Sequence, residues 1–167
     1  SFPPIRTYIR QELAKAIVEK YGTPDVIIGV ATGAIAQGAL VAEELGIPFA
    51  YVRSTAKGHG LGNLIEGKVE SGQRVVVIED LISTGGSGLK AVEALREVGA
   101  NVLGMAAIFT YNFQLSFNNF KEANCELVTL SDYDALVQQA VESKYISESE
   151  VSLIKSWRLA PSDWTGK

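Results

Sequence analysis

Short apolar runs recur along this chain at 26–30, 49–52, 75–78, 102–109 and 127–130, and most are separated by segments whose apolar residues follow helical spacing. A run such as Val26-Ile27-Ile28-Gly29-Val30, bounded by turn residues, is too short for a helix and reads as a buried strand. Strands alternating with helices are the mark of βαβ units. The expected architecture is therefore α/β, with a mainly parallel central sheet of about five strands flanked by helices.

The intervening segments support this reading. Pro3 and Pro4 open a helical pattern carried by Ile5, Tyr8, Ile9, Leu13 and Ile17 and closed by Tyr21-Gly22. Further helices are expected at 34–45, before Gly46, and at 86–98, capped by Gly99, with a short one around 117–123. Two more, at 133–144 and 148–158, precede Pro161 and a polar tail. Residues 54–67 differ. They are polar, contain Gly58, Gly60 and Gly62, lack periodicity, and read as a long mobile loop of the kind that is usually functional or disordered.

Bulk properties narrow the function classes. A length of 167 residues fits a single core domain, 1–167, and 47% hydrophobic residues suffice for a core without staples. Cys125 is the only cysteine, so no internal disulfide or zinc cluster is available, and a reducing, cytoplasmic setting is the default expectation. A net charge of −4 argues against broad nucleic-acid or anionic-membrane binding. No apolar run approaches the roughly 20 residues of a membrane span, and no segment resembles a signal peptide. Ser1 stands where an intact product would usually begin with Met, so the chain reads as a trimmed form of something longer.

The chemistry concentrates after the third apolar run. Val75 to Ile78 deliver Glu79 and Asp80 to the expected strand end, followed by Leu81-Ile82-Ser83-Thr84-Gly85-Gly86-Ser87 at the start of a helix. Backbone N–H groups of residues 83–87 at a helix N-terminus can cradle a phosphate, and the hydroxyls of Ser83, Thr84 and Ser87 can add donors. The two carboxylates can accept hydrogen bonds from vicinal sugar hydroxyls or hold Mg2+ through water. Solvated acids ahead of a helix cap would be the bland alternative, but apolar strand, acid pair, hydroxyls and glycines all coincide here. The turn lacks the Gly-Lys-Ser/Thr ending of a P-loop, and Gly58-His59-Gly60-Leu61-Gly62-Asn63 is not a dinucleotide fingerprint.

Residues 76–87 resemble the phosphoribosyl-pyrophosphate (PRPP) signature of type I phosphoribosyltransferases. The resemblance implies that Glu79 and Asp80 meet the ribose 2′ and 3′ hydroxyls and that Thr84 to Ser87 hold the 5′-phosphate. It also places Ser83 near the base, and Asp80 on Mg2+ through water. Gly29-Val30-Ala31-Thr32-Gly33-Ala34-Ile35 resembles the family's pyrophosphate turn, with Ala31, Thr32 and Gly33 donating backbone N–H groups and Gly33 supplying conformational freedom. A strand-to-helix turn without any ligand would look similar.

The base is chosen by another segment. Residues 53–67 resemble the catalytic loop of orotate phosphoribosyltransferases, matched at Arg53, Lys57, His59 and Gly60. Mobile cations there suit neutralisation of a departing pyrophosphate. In that family the loop reaches over the neighbouring subunit's site, so a homodimer acting in trans is implied. Ser54 stands where some members carry a second lysine, which bears on one pyrophosphate contact. The resemblance continues through Phe109-Thr110-Tyr111 and the C-terminal helices. Nothing corresponds to the family's N-terminal segment, part of a hood over the base, so the hood is apparently missing. The implied activity is transfer of ribose 5-phosphate from PRPP to orotate, with Mg2+, giving orotidine 5′-monophosphate and pyrophosphate in pyrimidine biosynthesis. Lys57, His59 and Asp80 are the implied catalytic residues. Purine phosphoribosyltransferases share the PRPP signature, and a non-catalytic regulator of the same fold is a further alternative.

Overall fold

A computed structural model of the chain describes residues 2–53, 64–159 and 161. The element order is α1 (Pro3–Tyr21), β1 (Val26–Val30), α2 (Gly33–Leu45), β2 (Phe49–Val52), β3 (Ile65–Glu66) and β4 (Arg74–Ile82). After these come α3 (Gly86–Glu97), β5 (Asn101–Thr110), α4 (Gln114–Glu122), β6 (Leu127–Asp132), α5 (Tyr133–Glu142) and α6 (Glu148–Leu159). One sheet runs β3-β2-β1-β4-β5-β6, parallel throughout except for β3.

The sheet thus has six strands where about five were expected. The extra one, β3, lies inside the stretch read as loop. Its two residues pair antiparallel with Tyr51 and Val52, and two residues are too few to carry a strand pattern. A second correction concerns β4, which was expected to end at Ile78 but runs on through Glu79 and Asp80 to Ile82. Carboxylates disfavour strands locally, but the long neighbour β5 keeps the ladder going, pairing Glu79 with Ala107, Leu81 with Phe109 and Ile82 with Thr110. The acid pair therefore lies within the second half of a strand, not in the turn beyond it. Helix α4 also starts earlier than its short apolar pattern indicates, at Gln114.

Period-2 alternation divides the core. Val26, Ile28, Val75, Val77, Met105 and Ala107 face Ala91, Val92 and Leu95 of α3. Ile27, Val76, Ile78 and Ala106 face Leu13 and Ile17 of α1 and Val41 of α2. Both faces of the parallel strands are covered, which is why their sequences are continuously apolar. Among the described residues no helix is long and apolar enough to cross a membrane.

One polar tie anchors α1 to the sheet. The Tyr21 hydroxyl lies 3.0 Å from the Met105 carbonyl and 3.1 Å from that of Glu126, and burial raises its pKa. The ring crosses Gly104, where a Cβ would come within 2.5 Å of Tyr21 Cε1. Gly104→Ala must therefore push the ring off its carbonyls. Urea unfolding of that variant is expected to show a loss of about 1–3 kcal/mol, the usual cost of overpacking.

Candidate active site

Sheet order fixes where a ligand can sit. From β1 the chain moves outward to β2 and then returns to β4 on the other side of β1, so β1 and β4 flank the topological switch point. Helices α2 and α3 leave these two strands toward opposite faces of the sheet. Open α/β sheets bind their ligands at such a switch point, beyond the carboxyl ends of the strands. Neither helix has a side-chain cap at its N-terminus, at Thr32 or at Gly85. Their first N–H groups are thus not taken up by capping side chains, and the positive end of each helix is suited to an anion.

The glycine turn is built from three sides. Gly85 takes φ 83, a left-handed conformation, and a Cβ there would lie 2.5 Å from the Phe120 ring of α4. Asn119, also on α4, donates from Nδ2 to the Thr84 carbonyl at 2.9 Å. On the sheet side, Ser87 Oγ donates to Glu79 Oε2 at 3.4 Å. Ser83, Thr84, Gly86 and Ser87 remain exposed to a ligand.

The two carboxylates differ. Asp80 is exposed, and its Oδ1 accepts the Leu81 N–H at 2.9 Å. Glu79 is only 6% exposed. Burial, then hydrogen bonding to and repulsion by Asp80, push its pKa up to about 8, with Ser87 opposing. Burial is the larger cause and the neighbouring carboxylate adds to it, so Glu79 resists ionisation.

Gly33 joins the first turn to this pair. An added Cβ would fall 2.2 Å from Asp80 Oδ2. The expected reason for this glycine, freedom of φ, is not the operative one, since Gly33 is absent from the positive-φ residues. It is glycine because the Asp80 carboxylate occupies the space a side chain would need. Ala31 is drawn in by its N–H bond to the Val52 carbonyl at 2.8 Å, which also brings the end of β2 alongside. Arg53 follows there, its N–H on the Leu64 carbonyl at 2.9 Å and its Nη1 3.3 Å from Glu66 Oε1.

The structure thus gathers Ala31, Thr32, Gly33, Arg53, Glu79, Asp80 and residues 81–87 at the carboxyl ends of the adjacent strands β1, β2 and β4. Leu81 and Ile82 belong to the strand, with Ile82 buried in the α3-side core. Lys57 and His59 lie outside the described residues. A cavity of about 640 Å3 lies elsewhere, between α4 and edge strand β6, and none of the acid-pair or glycine-turn residues line it. Sequence reasoning missed Asn119, Phe120 and Glu66, which act through long-range contacts that leave no local motif.

Residues 6–143 match the phosphoribosyl transferase domain family. An orotate phosphoribosyltransferase of Phocaeicola vulgatus is 55% identical over 164 residues, 98% of this chain and 77% of that protein. The chain belongs to the orotate phosphoribosyltransferase family. Among solved structures, an orotate phosphoribosyltransferase from Aeropyrum pernix superposes with a TM-score of 0.71 at 28% identity, covering 80% of this chain and 74% of that one. An adenine phosphoribosyltransferase from Leishmania tarentolae reaches a TM-score of 0.66 at 23% identity, covering 80% and 73%. The type I phosphoribosyltransferase fold is therefore shared across base specificities. Identity to the orotate enzymes is what places this chain on their branch.

The acid pair makes a pH prediction. Folding raises the Glu79 pKa from an ordinary 4.5 to about 8. The folded protein therefore holds a proton that the unfolded chain releases between those values. The associated stability is fully present below pH 4.5 and is lost as the pH rises through about 8. Glu79→Gln should remove this component. Melting temperatures of variant and parent, compared across that window, are expected to diverge in favour of the variant as pH rises.

Proposed function

We propose that this chain catalyses the transfer of ribose 5-phosphate from PRPP to orotate, releasing pyrophosphate and giving orotidine 5′-monophosphate for pyrimidine biosynthesis. The observation that carries the proposal is the convergence of the acid pair, the glycine turn and the 31–33 turn at the β1/β4 switch point, in a chain of this family. The whole chain, 1–167, acts in this reading as one core domain.

The transition state has oxocarbenium character, so positioning and charge stabilisation supply most of the catalysis. Glu79 and Asp80 hold the ribose hydroxyls. The N–H groups of Thr84 to Ser87, with their hydroxyls, hold the 5′-phosphate, and Ser83 meets the base. The N–H groups of the 31–33 turn, with Arg53, take the diphosphate. Lys57 and His59 neutralise the charge that grows on pyrophosphate as it leaves. Among the described residues no three His, Cys, Asp or Glu side chains gather into a metal cage. A single exposed carboxylate, Asp80, suits Mg2+, which is commonly held by one or two carboxylates together with waters and substrate phosphates. Asp80 would hold Mg2+ through water, and the ion would supply positive charge against the diphosphate. We further propose a homodimer in which segment 53–67 reaches over the partner's site, supported by its resemblance to the family's catalytic loop at Arg53, Lys57, His59 and Gly60.

Orotate absorbance in the presence of PRPP and Mg2+ tests the reading, with adenine offered in parallel. Consumption of orotate alone supports it, and consumption of adenine alone would move the chain to the purine branch. Lys57→Ala is expected to lower kcat about 100- to 1000-fold, the usual effect of removing one charge-stabilising group. An unchanged kcat would remove Lys57 from the mechanism.

A further inference from the structure

Beyond the acid-pair strand, the carboxyl end of β5 carries an aromatic cluster with no role so far. Thr110 is buried, and its Oγ1 accepts the Asn112 N–H at 3.1 Å. Asn112 takes φ 54, in the left-handed region that asparagine adopts more readily than most residues. This turn brings Tyr111 and Phe113 into a stack, with ring centroids 5.3 Å apart and planes within 7°. Trp157 of α6 stands edge-on to both, at 5.7 and 6.1 Å. Tyr133, the first residue of α5, closes the box 5.6 Å from Trp157 and 5.9 Å from Tyr111.

Helix α6 is tethered where it carries Trp157. The Tyr133 hydroxyl donates to the Ile154 carbonyl at 3.2 Å. Arg158 pairs with Asp134 at 2.5 Å, and its guanidinium lies 5.6 Å over the Tyr133 ring. On its other side the box reaches the site directly. The Tyr111 N–H donates to the Ile82 carbonyl at 3.0 Å, and Ile82 immediately precedes Ser83. Phe109 packs edge-on against Tyr111 at 5.4 Å, so the ring is held from the strand side as well.

We propose that Trp157 is a positioning residue for the base-side edge of the site, acting through Tyr111 on Ile82 and Ser83. This rests on the reading of the chain as an orotate phosphoribosyltransferase with Ser83 beside the base. The geometry separates the two ends of the substrate. The 5′-phosphate turn is braced by Asn119 and Phe120, six and seven residues beyond Phe113 along α4, and the diphosphate side by Ala31 and Val52. The Ile82–Ser83 edge is bonded directly to Tyr111 of the box, whereas the box reaches α4 through that helix's N-cap, Phe113. Loosening α6 should therefore be felt by the base more than by PRPP.

Steady-state kinetics of the full chain and Trp157→Ala, varying orotate and PRPP separately, test this. The expected result is a rise of about fivefold or more in KM for orotate, with KM for PRPP within about twofold, since small misplacements weigh heavily on positioned reactants. Trp157→Phe, which keeps a ring, should restore the parent value. Val41→Ala, in the α2 face of the core, serves as a destabilised control and should leave KM for orotate unchanged. An unshifted KM for orotate in Trp157→Ala, equal rises for both substrates, or the same shift in Val41→Ala would each overturn the proposal. If Trp157→Ala does not fold, Trp157→Leu is judged by the same criteria. Failure of the parent chain to use orotate at all, while using another base, would instead overturn the functional reading beneath it.

Discussion

The turn leaving β1 and the carboxylate on β4 meet because residue 33 has no side chain. With Asp80 Oδ2 only 2.2 Å from where a Cβ would stand, the 31–33 turn and the Asp80 carboxylate share one small volume. Parallel pairing of β1 with β4, Val26 to Val75 through Gly29 to Ile78, fixes the height at which they meet. The rest of the site is arranged around that junction. Helices α2 and α3 start on either side of it, and β2 brings Arg53 alongside through the bond between Ala31 and Val52. Transferring a ribosyl group between a pyrophosphate and a base needs both ends of the sugar held in one frame. A close contact between two sheet-anchored segments supplies such a frame without relying on loop rigidity.

The acid pair introduces a local cost that the fold accommodates. A carboxyl that is 6% exposed, next to another carboxylate, resists ionisation, and Glu79 answers by holding its proton to about pH 8. The Ser87 hydroxyl supplies a partner from the first turn of α3. Acid pair and phosphate turn are thus linked before any substrate arrives. In the proposed function this linkage joins the groups assigned to the ribose hydroxyls and to the 5′-phosphate, two features of PRPP that do not change during the reaction.

Much of this was legible in the residues. Val75 to Ile78 announced a buried strand, and the hydroxyls and glycines of 83–87 announced a turn into a helix, because each residue type there acts locally. Sheet order was not legible, since nothing in a strand's own residues says which strand lies beside it. The switch point therefore emerged only in three dimensions. The reason for Gly33 was misjudged for the same cause: its constraint comes from Asp80, 47 positions away in sequence. Strand β3 was too short to show, and β4 outran its apolar run because β5 carried the ladder forward. Tyr111 stood only at the end of a family-like stretch and Trp157 carried no local signal, because their contact forms only when α6 packs back on the end of β5. Lys57 and His59 were legible only through family resemblance.

Calorimetric titration of PRPP with Mg2+ into the parent chain, Gly33→Ala and Asp80→Asn tests the junction most directly. If the shared volume at residue 33 holds ribose and diphosphate in one frame, the parent binds and both variants weaken PRPP by about tenfold or more, a loss near 1.4 kcal/mol, while remaining folded by circular dichroism. Parent-like affinity in a folded Gly33→Ala variant would contradict the account, because the carboxylate would then have been displaced without consequence for the substrate.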